Sequence, residues 1–370
     1  MGGVSSTSAN SLKHIEWIWQ SNTNAWSESE PAEWSHYSDV ENLIIEEAFS
    51  KKQPQVILDD YYIDFKDNLQ ISNIGDPKQR PIKRVVRERE DKDLRKERFM
   101  DVPIASTHSF GGQYGWISPF VIEVRRDLDL QSDELPSKKK NIIPMLVEKA
   151  ACGIIEEGKH IGKQQEAEYL ANMLRKQKKK RMEEVWQCCV YLYSLESFLY
   201  KTLNTTMRLV GDKEHEQVWR SKIHTLGPFC LLLWDDPINK RMKIKTMLYR
   251  GANLKPEHIA TYKEMAQHPN KYRSFQAFIS CSRNRQKATE LGNTLLIMDV
   301  LYGFTADLRG LSEYPDEEEE LITPGVCFCV RRVEFDCTTN KHFIHMELRQ
   351  IWSGKREKVF SNGFYNIRSI

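Results

Sequence analysis

The sequence predicts an α+β protein of more than one domain, and three observations carry that reading. An aromatic N-terminal segment orders strand, strand, helix, strands; an amphipathic helical stretch fills the middle; short apolar runs of β character follow. The chain has 370 residues, against a common domain length of roughly 150, so a single small module is excluded. With 40% hydrophobic and 29% charged residues, wholly disordered and collagen-like chains are excluded too. Lys+Arg number 54 against 52 Asp+Glu, a net charge of +2. That balance rules out a generic polyanion coat and leaves room for local basic sites.

In the N-terminal segment, Glu16-Trp17-Ile18-Trp19-Gln20 alternates as a strand does, which puts both tryptophans on one face. Trp34 and Tyr37 follow, then a helical pattern over Asp39–Phe49, then strand-like Tyr61–Phe65 and Leu69–Asn73, and a basic end at Gln79–Arg84. Trp17, Trp34 and Tyr62 are expected in the core. Arg87–Arg98 is nearly all charge of both signs and reads as a solvated connector or exposed helix. Between Val102 and Lys140 lie Gly111, Gly112, Gly115, Pro119 and Pro136, with Phe120–Val124 reading as a short β run. Helix is predicted over 141–209, where Leu192, Leu195, Leu199, Leu203 and Met207 form one amphipathic face. The basic run Arg175–Arg181 within it reads as a solvated face, with a nuclear-localisation or nucleic-acid patch as the alternative. Beyond Leu248, Thr294–Val300 and Val326–Val330 read as strands of a second domain.

No window approaches the roughly 18 apolar residues of a membrane span, and the first residues carry no basic segment followed by an apolar one. The expectation is an intracellular protein, cytoplasmic or nuclear. Gly2 with Ser6 loosely fits an N-myristoylation signal. The eight cysteines show no CxxC pair and no His at zinc-finger spacing, so they are expected reduced and mostly buried. His258, His342 and His345 show no ligand pattern; neither metal nor specific nucleic acid is predicted.

The order of landmarks over residues 12–87 resembles the WWE domain, a half-barrel sheet with one helix. That resemblance implies a module that binds iso-ADP-ribose, the internal unit of poly(ADP-ribose), or serves protein contacts. The implied ligand carries an adenine and phosphates, which call for aromatic rings, an amide and a guanidinium. By position these are Trp19, Tyr61, Gln70 and Arg80.

Three further motifs occur in order: Leu248-Tyr249-Arg250-Gly251, Phe278-Ile279-Ser280-Cys281-Ser282, and Pro315 through Gly325, with Glu317–Glu320 an unbroken acidic run. Together, over about residues 140–351, they resemble the R-S-E triad of the arginine-specific mono-ADP-ribosyltransferases. Residues 88–139 are left as an unassigned connector and 352–370 as a tail. The resemblance implies two packed mixed or antiparallel sheets around an NAD+ cleft beside a helical subregion, with NAD+ as co-substrate and protein arginine as acceptor. Breaking the nicotinamide–ribose bond builds positive charge on the sugar, which a carboxylate beside its 2-hydroxyl stabilises; Glu319 is assigned that role. Arg250 would hold phosphates bidentately, Gly251 would let the backbone approach nicotinamide, and Ser280 would hold ribose and Glu319 in register. Glu317, two residues before Glu319, goes with arginine transfer, and on an extended segment the two carboxylates share a face. The family's usual run of aliphatics after its glutamate is broken here by Glu320, so a shifted pair, Glu318 and Glu320, stays open. Cys281 stands where the family commonly has Thr or Ser and is expected to point away from Ser280. Two other functions stay open: a catalytically weak ADP-ribose reader or scaffold, and an NAD+ glycohydrolase without a protein acceptor.

Overall fold

The computed structural model describes residues 15–26, 29–73, 75, 78–86, 95, 98–99, 117–131, 134–237 and 243–349. Gly2 and Ser6, the glycines at 111, 112 and 115, and the tail 352–370 lie outside the described residues.

Six short strands surround one helix in the N-terminal region: β1 (Ile15–Gln20), β2 (Trp34–His36), α1 (Asp39–Ser50), β3 (Gln55–Ile57), β4 (Tyr61–Asp64), β5 (Leu69–Ser72) and β6 (Gln79–Val86). All pairs are antiparallel, in the order β2-β1-β6-β5-β4-β3. A capping box starts α1: Ser38 accepts from the Glu41 backbone N–H and Glu41 accepts from that of Ser38. Trp17 is buried, and its indole donates to Glu46 at 2.9 Å, which also takes two bonds from Arg84. Trp34 and Tyr62 are half-buried rather than core. Trp34 sits on an edge strand under the Lys83 ammonium, 3.9 Å from its ring centroid, a place where an aromatic needs only one covered face.

The helical layer comprises α2 (Pro119–Asp127), α3 (Ile143–His160), α4 (Gln164–Arg175), α5 (Met182–Ser194), α6 (Phe198–Arg208), α7 (Glu216–Ser221) and α8 (Ile223–Trp234). The expected β run at Phe120–Val124 is wrong: it is helix α2, with Pro119 in the first turn and Phe120, Val121 and Val124 buried at helical spacing. The amphipathic face from Leu192 to Met207 is buried throughout, but it spans a break between Ser194 and Phe198. The basic run after α4 forms the turns before α5, with Arg175 and Lys178 paired to Glu148. No helix among the described residues is long and apolar enough to cross a membrane.

Eight strands follow among the described residues: β7 (Lys243–Ala252), β8 (Arg273–Ser274), β9 (Ile279–Ser282), β10 (Thr294–Gly303), β11 (Thr305–Asp307), β12 (Glu319–Ile322), β13 (Cys327–Asp336) and β14 (Lys341–Arg349), with helices α9 (Pro256–Ala266) and α10 (Arg285–Glu290) among them. Their order is β11-β12-β9-β7-β10-β14-β13-β8, and β10 with β14 is parallel while the other pairs are antiparallel. Between β9 and β7 the link is one residue pair, Ser282 opposite Tyr249. Two sheet halves meet there, and the functional motifs lie on both sides of the joint. Five of the eight cysteines are buried, Cys188 is half-buried, Cys152 and Cys337 are exposed, and all are free.

The N-terminal domain docks on the helical layer. Val40 and Leu43 of α1 join its core cluster. Asp59 accepts from the backbone N–H groups of Gln165 and Glu166, at 2.7 and 3.3 Å. These are unpaired donors in the first turn of α4, whose own flanking residue Lys163 provides no side-chain cap. Asp39 likewise accepts from Glu196 N at 2.7 Å.

Candidate active site

The site lies where β9, β7 and β12 meet. Arg250 on β7 is 2% exposed, and its Nη1 donates to the Ser280 carbonyl at 2.6 Å, fixing the guanidinium across the joint. Buried Tyr262 of α9 lies close enough that Arg250 opposes the burial which pushes its hydroxyl up to about 12. Gly251 has a packing reason of its own. A Cβ on it would stand 2.5 Å from both the Ala288 carbonyl oxygen and Leu291 Cβ, so the missing side chain lets α10 and the following turn pack on β7.

Ser280 is opposite Leu321 in the β9–β12 ladder, which puts it diagonal to Glu319 on the same face. Burial pushes the Glu319 carboxyl up, but the charges of Arg98 and Arg95, with hydrogen bonds from Arg98 and Ser280, hold it below the usual carboxylate range. Cys281 is fully buried in the apolar cluster on the other face, as expected. Ser282 has a positioning part that the motif did not disclose: its hydroxyl donates to the Glu317 carbonyl at 2.8 Å and accepts from Asn284 N.

Glu317 and Glu319 are not on an extended segment. Pro315–Glu317 is a 3-10 turn, Glu318 is left-handed at φ 48°, and the strand starts at Glu319. The two carboxylates still converge, because Arg95 Nη2 lies 2.8 Å from Glu317 Oε2 and 3.7 Å from Glu319 Oε2. Glu320 points elsewhere: buried, it accepts from Arg283 Nε at 2.7 Å and from the Thr305 hydroxyl. Glu318 is half-buried and lies near Asn284.

Arg95 and Arg98 were missed. They sit in the charged run expected to be solvated, yet Arg98 is 3% exposed and the Arg95 side chain 9%. Arg95 donates to Glu317 from its backbone N–H (3.0 Å), Nε (2.9 Å) and Nη2 (2.8 Å), and to the Ser194 carbonyl from Nη1 at 2.6 Å. Its guanidinium carbon stands 3.7 Å from the Tyr314 ring centroid. Burial would lower the Arg95 pKa, and the Glu317 charge and hydrogen bond outweigh it and raise it. Arg98 donates to Glu319 Oε1 from Nε and to the Tyr193 carbonyl from Nη1, both at 2.9 Å, between the rings of Tyr193 and Tyr200. A run dense in both signs hides which of its charges have buried partners. The only cue was an i,i+3 pair of arginines in a chain that also carries a glutamate pair spaced by two.

In the N-terminal domain the four expected ligand residues come together. Arg80 lies opposite Gln70 in the β5–β6 ladder, and its guanidinium is 5.3 Å from the Trp19 ring centroid. Arg80 Nη1 is engaged by the carbonyls of Gln20 and Asn22 at 2.9 and 2.7 Å. Gln70 accepts from Tyr37 at 2.8 Å, and Tyr61 donates to Glu41 at 2.8 Å, with its own pKa raised chiefly by burial. Among the described residues no cluster of His, Cys, Asp or Glu suits a metal.

The region that carries the buried arginine, the serine and the carboxylate pair belongs to the class of enzymes that transfer ADP-ribose from NAD+. Residues 162–351 match the NAD:arginine ADP-ribosyltransferase family, to which the chain belongs, and residues 15–84 match the WWE domain. Similar solved structures include the type III effector XopAI from Xanthomonas axonopodis pv. citri (15% identity, 62% of this chain and 98% of that one, TM-score 0.41). Others are the ADP-ribosyltransferase HopU1 of Pseudomonas syringae pv. Tomato DC3000 (16%, 49% and 87%, 0.38) and Plx2a, an ADP-ribosyltransferase toxin from Paenibacillus larvae (14%, 54% and 96%, 0.35). No curated protein matches the chain significantly.

Proposed function

We propose that this enzyme transfers ADP-ribose from NAD+ to arginine side chains of proteins, with Glu317 receiving the acceptor and Glu319 acting on the ribose. The observation that carries this reading is that Glu317 already receives a guanidinium through both carboxylate oxygens, that of Arg95. A carboxylate so placed suits arginine over lysine or serine, because the planar fork matches two oxygens at once.

The residues present fit NAD+: Arg250 is a buried multi-donor cation suited to phosphate, and Ser280 with Glu319 offers a hydroxyl and a carboxylate suited to ribose. When bound, NAD+ supplies the ADP-ribosyl group and a nicotinamide leaving group. Arg250 holds and neutralises phosphate. Glu319 stabilises positive charge on the sugar as it develops. Glu317 orients the acceptor guanidinium and takes its proton as the new nitrogen–carbon bond forms and the bond to nicotinamide breaks. The pairing of Glu320 with Arg283 and Thr305 supports the Glu317–Glu319 pair over Glu318–Glu320. Trp19, Tyr61, Gln70 and Arg80 form the ADP-ribose-binding face of the WWE domain in this reading; Arg80→Ala should abolish retention on poly(ADP-ribose), and unchanged retention sinks the assignment.

The test of the transferase reading is incubation with labelled NAD+ and agmatine, a small guanidine. Label should appear on the guanidine and be lost in Glu319→Gln, with a fall on the order of 10²–10³ in rate, the scale of losing one transition-state electrostatic contact. Glu317→Gln should lose guanidine transfer and retain NAD+ hydrolysis. Transfer that survives Glu317→Gln sinks the acceptor assignment.

A further inference from the structure

Arg95, Arg98 and Phe99, from the stretch that follows the WWE domain, lie in the site rather than in solvent. Arg95 lies on Glu317, Arg98 on Glu319, and Phe99, fully buried, anchors the segment in a cluster with Ala288, Leu291, Leu295 and Ile297, against Tyr249. Tyr249 precedes Arg250 on β7, so that anchor is built into the strand carrying the phosphate-binding candidate. Two buried cations on two buried carboxylates are tolerated only while each charge keeps its partner. If the segment leaves, both carboxylates must be solvated or take other cationic or hydroxyl-bearing groups. The same oxygens therefore have two alternative sets of occupants, the connector's guanidiniums or the substrates.

We propose that Arg95 and Arg98 are an internal ligand that closes the transferase site: Arg95 takes the place of the acceptor guanidinium, and Arg98 covers the Glu319 oxygen that would face ribose. The inference rests on the proposed roles of Glu317 and Glu319. The WWE domain touches the closed arrangement through Asp39, which accepts from the Tyr314 hydroxyl and lies 3.9 Å from Arg95. Opening is thus linked to the seating of that domain.

The test compares the full-length wild type with Arg95→Ala/Arg98→Ala, reading NAD+ affinity by calorimetry, nicotinamide release, and label on agmatine. If the closed state outweighs the open one by about ten to one, the wild type loses about tenfold in apparent affinity. The variant should then bind NAD+ about tenfold more tightly and release nicotinamide faster. Equal affinity in two proteins with the same melting behaviour overturns the proposal. Should the double variant fold poorly, Phe99→Ala loosens the anchor while leaving both ion pairs, and it too should tighten NAD+ binding; no change overturns the proposal. Tighter binding with no label on agmatine in any variant upholds closure and sinks arginine transfer. Label on agmatine with unchanged NAD+ affinity does the reverse. A wild type that on mixing with NAD+ labels its own Arg95 as fast as agmatine also overturns closure, because the seated arginine is then an acceptor.

Discussion

Glu319 and Glu320 are adjacent, both fully buried and both paired with arginine, yet they face opposite ways and do different things. Glu320 joins Arg283 and Thr305, linking β12 to the turn after β9 and to β11. Replacing it with Gln removes a charge-assisted pair, which costs about 1–3 kcal/mol because Arg283 retains some solvent contact. Glu320→Gln should therefore lower the melting temperature and leave rate per folded molecule within about threefold. Glu319→Gln should strike the rate by the far larger factor given above. Thermal melts and nicotinamide release on the two variants check the contrast, and a catalytic collapse in Glu320→Gln with Glu319→Gln active would restore the shifted pair. This contrast was only half legible in the sequence. Motif spacing singled out Glu319, but the direction of each side chain depends on the left-handed Glu318, which lets a turn end and a strand begin between the two glutamates. Nothing in four identical letters marks that residue as the one that bends.

At the scale of elements, periodicity located the helices and long strands, and it failed where a run was short or charged. Phe120–Val124 is five residues of β-favouring composition; the helix over it is decided by Pro119 in the first turn and by burial against α8. The Leu192–Met207 face keeps helical spacing through Leu195, so the break between α5 and α6 left no gap in the pattern. Close helix crossings were not legible either, since they depend on what stands opposite. Gly153 of α3 shows this: an added Cβ would stand 1.9 Å from the Thr225 carbonyl oxygen on α8. Backbone cannot yield as a side-chain tip can, so Gly153→Ala forces the two helices apart. The expected cost is on the order of 3 kcal/mol, at the upper end of overpacking effects and well above the gain in helix propensity from Gly to Ala. A fall in melting temperature of roughly 5–10 °C should follow, with NAD+ affinity per folded molecule unchanged. A melting temperature equal to or above that of the wild type would show that the crossing is looser than described.

For the whole molecule, the question is what ties the WWE domain to the transferase, since Asp39 of that domain lies beside the seated Arg95. Much of the seam is acidic on the WWE side: Asp59 caps α4, Asp60 pairs with Lys163, and Asp39 caps the start of the segment before α6. Into this acidic seam α4 presents Glu166, 5% exposed, which accepts from Phe198 N at 3.1 Å. Burial, with the charges of Glu41 and Asp59, pushes its carboxyl up to about 7, against the opposing hydrogen bond from Phe198 and the charge of Lys163. The folded form therefore holds a proton that the unfolded chain, with an ordinary glutamate near 4.5, gives up. Stability from this group is fully present below about pH 4.5 and is lost as pH rises through 7. A difference of about 2.5 pH units corresponds to about 3 kcal/mol, an order-of-magnitude figure. Glu166→Gln keeps an acceptor for Phe198 and removes the titration. The variant should melt higher than the wild type at pH 8, and the gap should close by pH 5. The same substitution should raise protection from hydrogen exchange in α1 and α4 at pH 8, because the docking seam no longer carries a buried negative charge beside Glu41 and Asp59. A gap in melting temperature independent of pH would mean that Glu166 is ionised in the folded protein across this range, and would sink its assignment as a buried, protonated group.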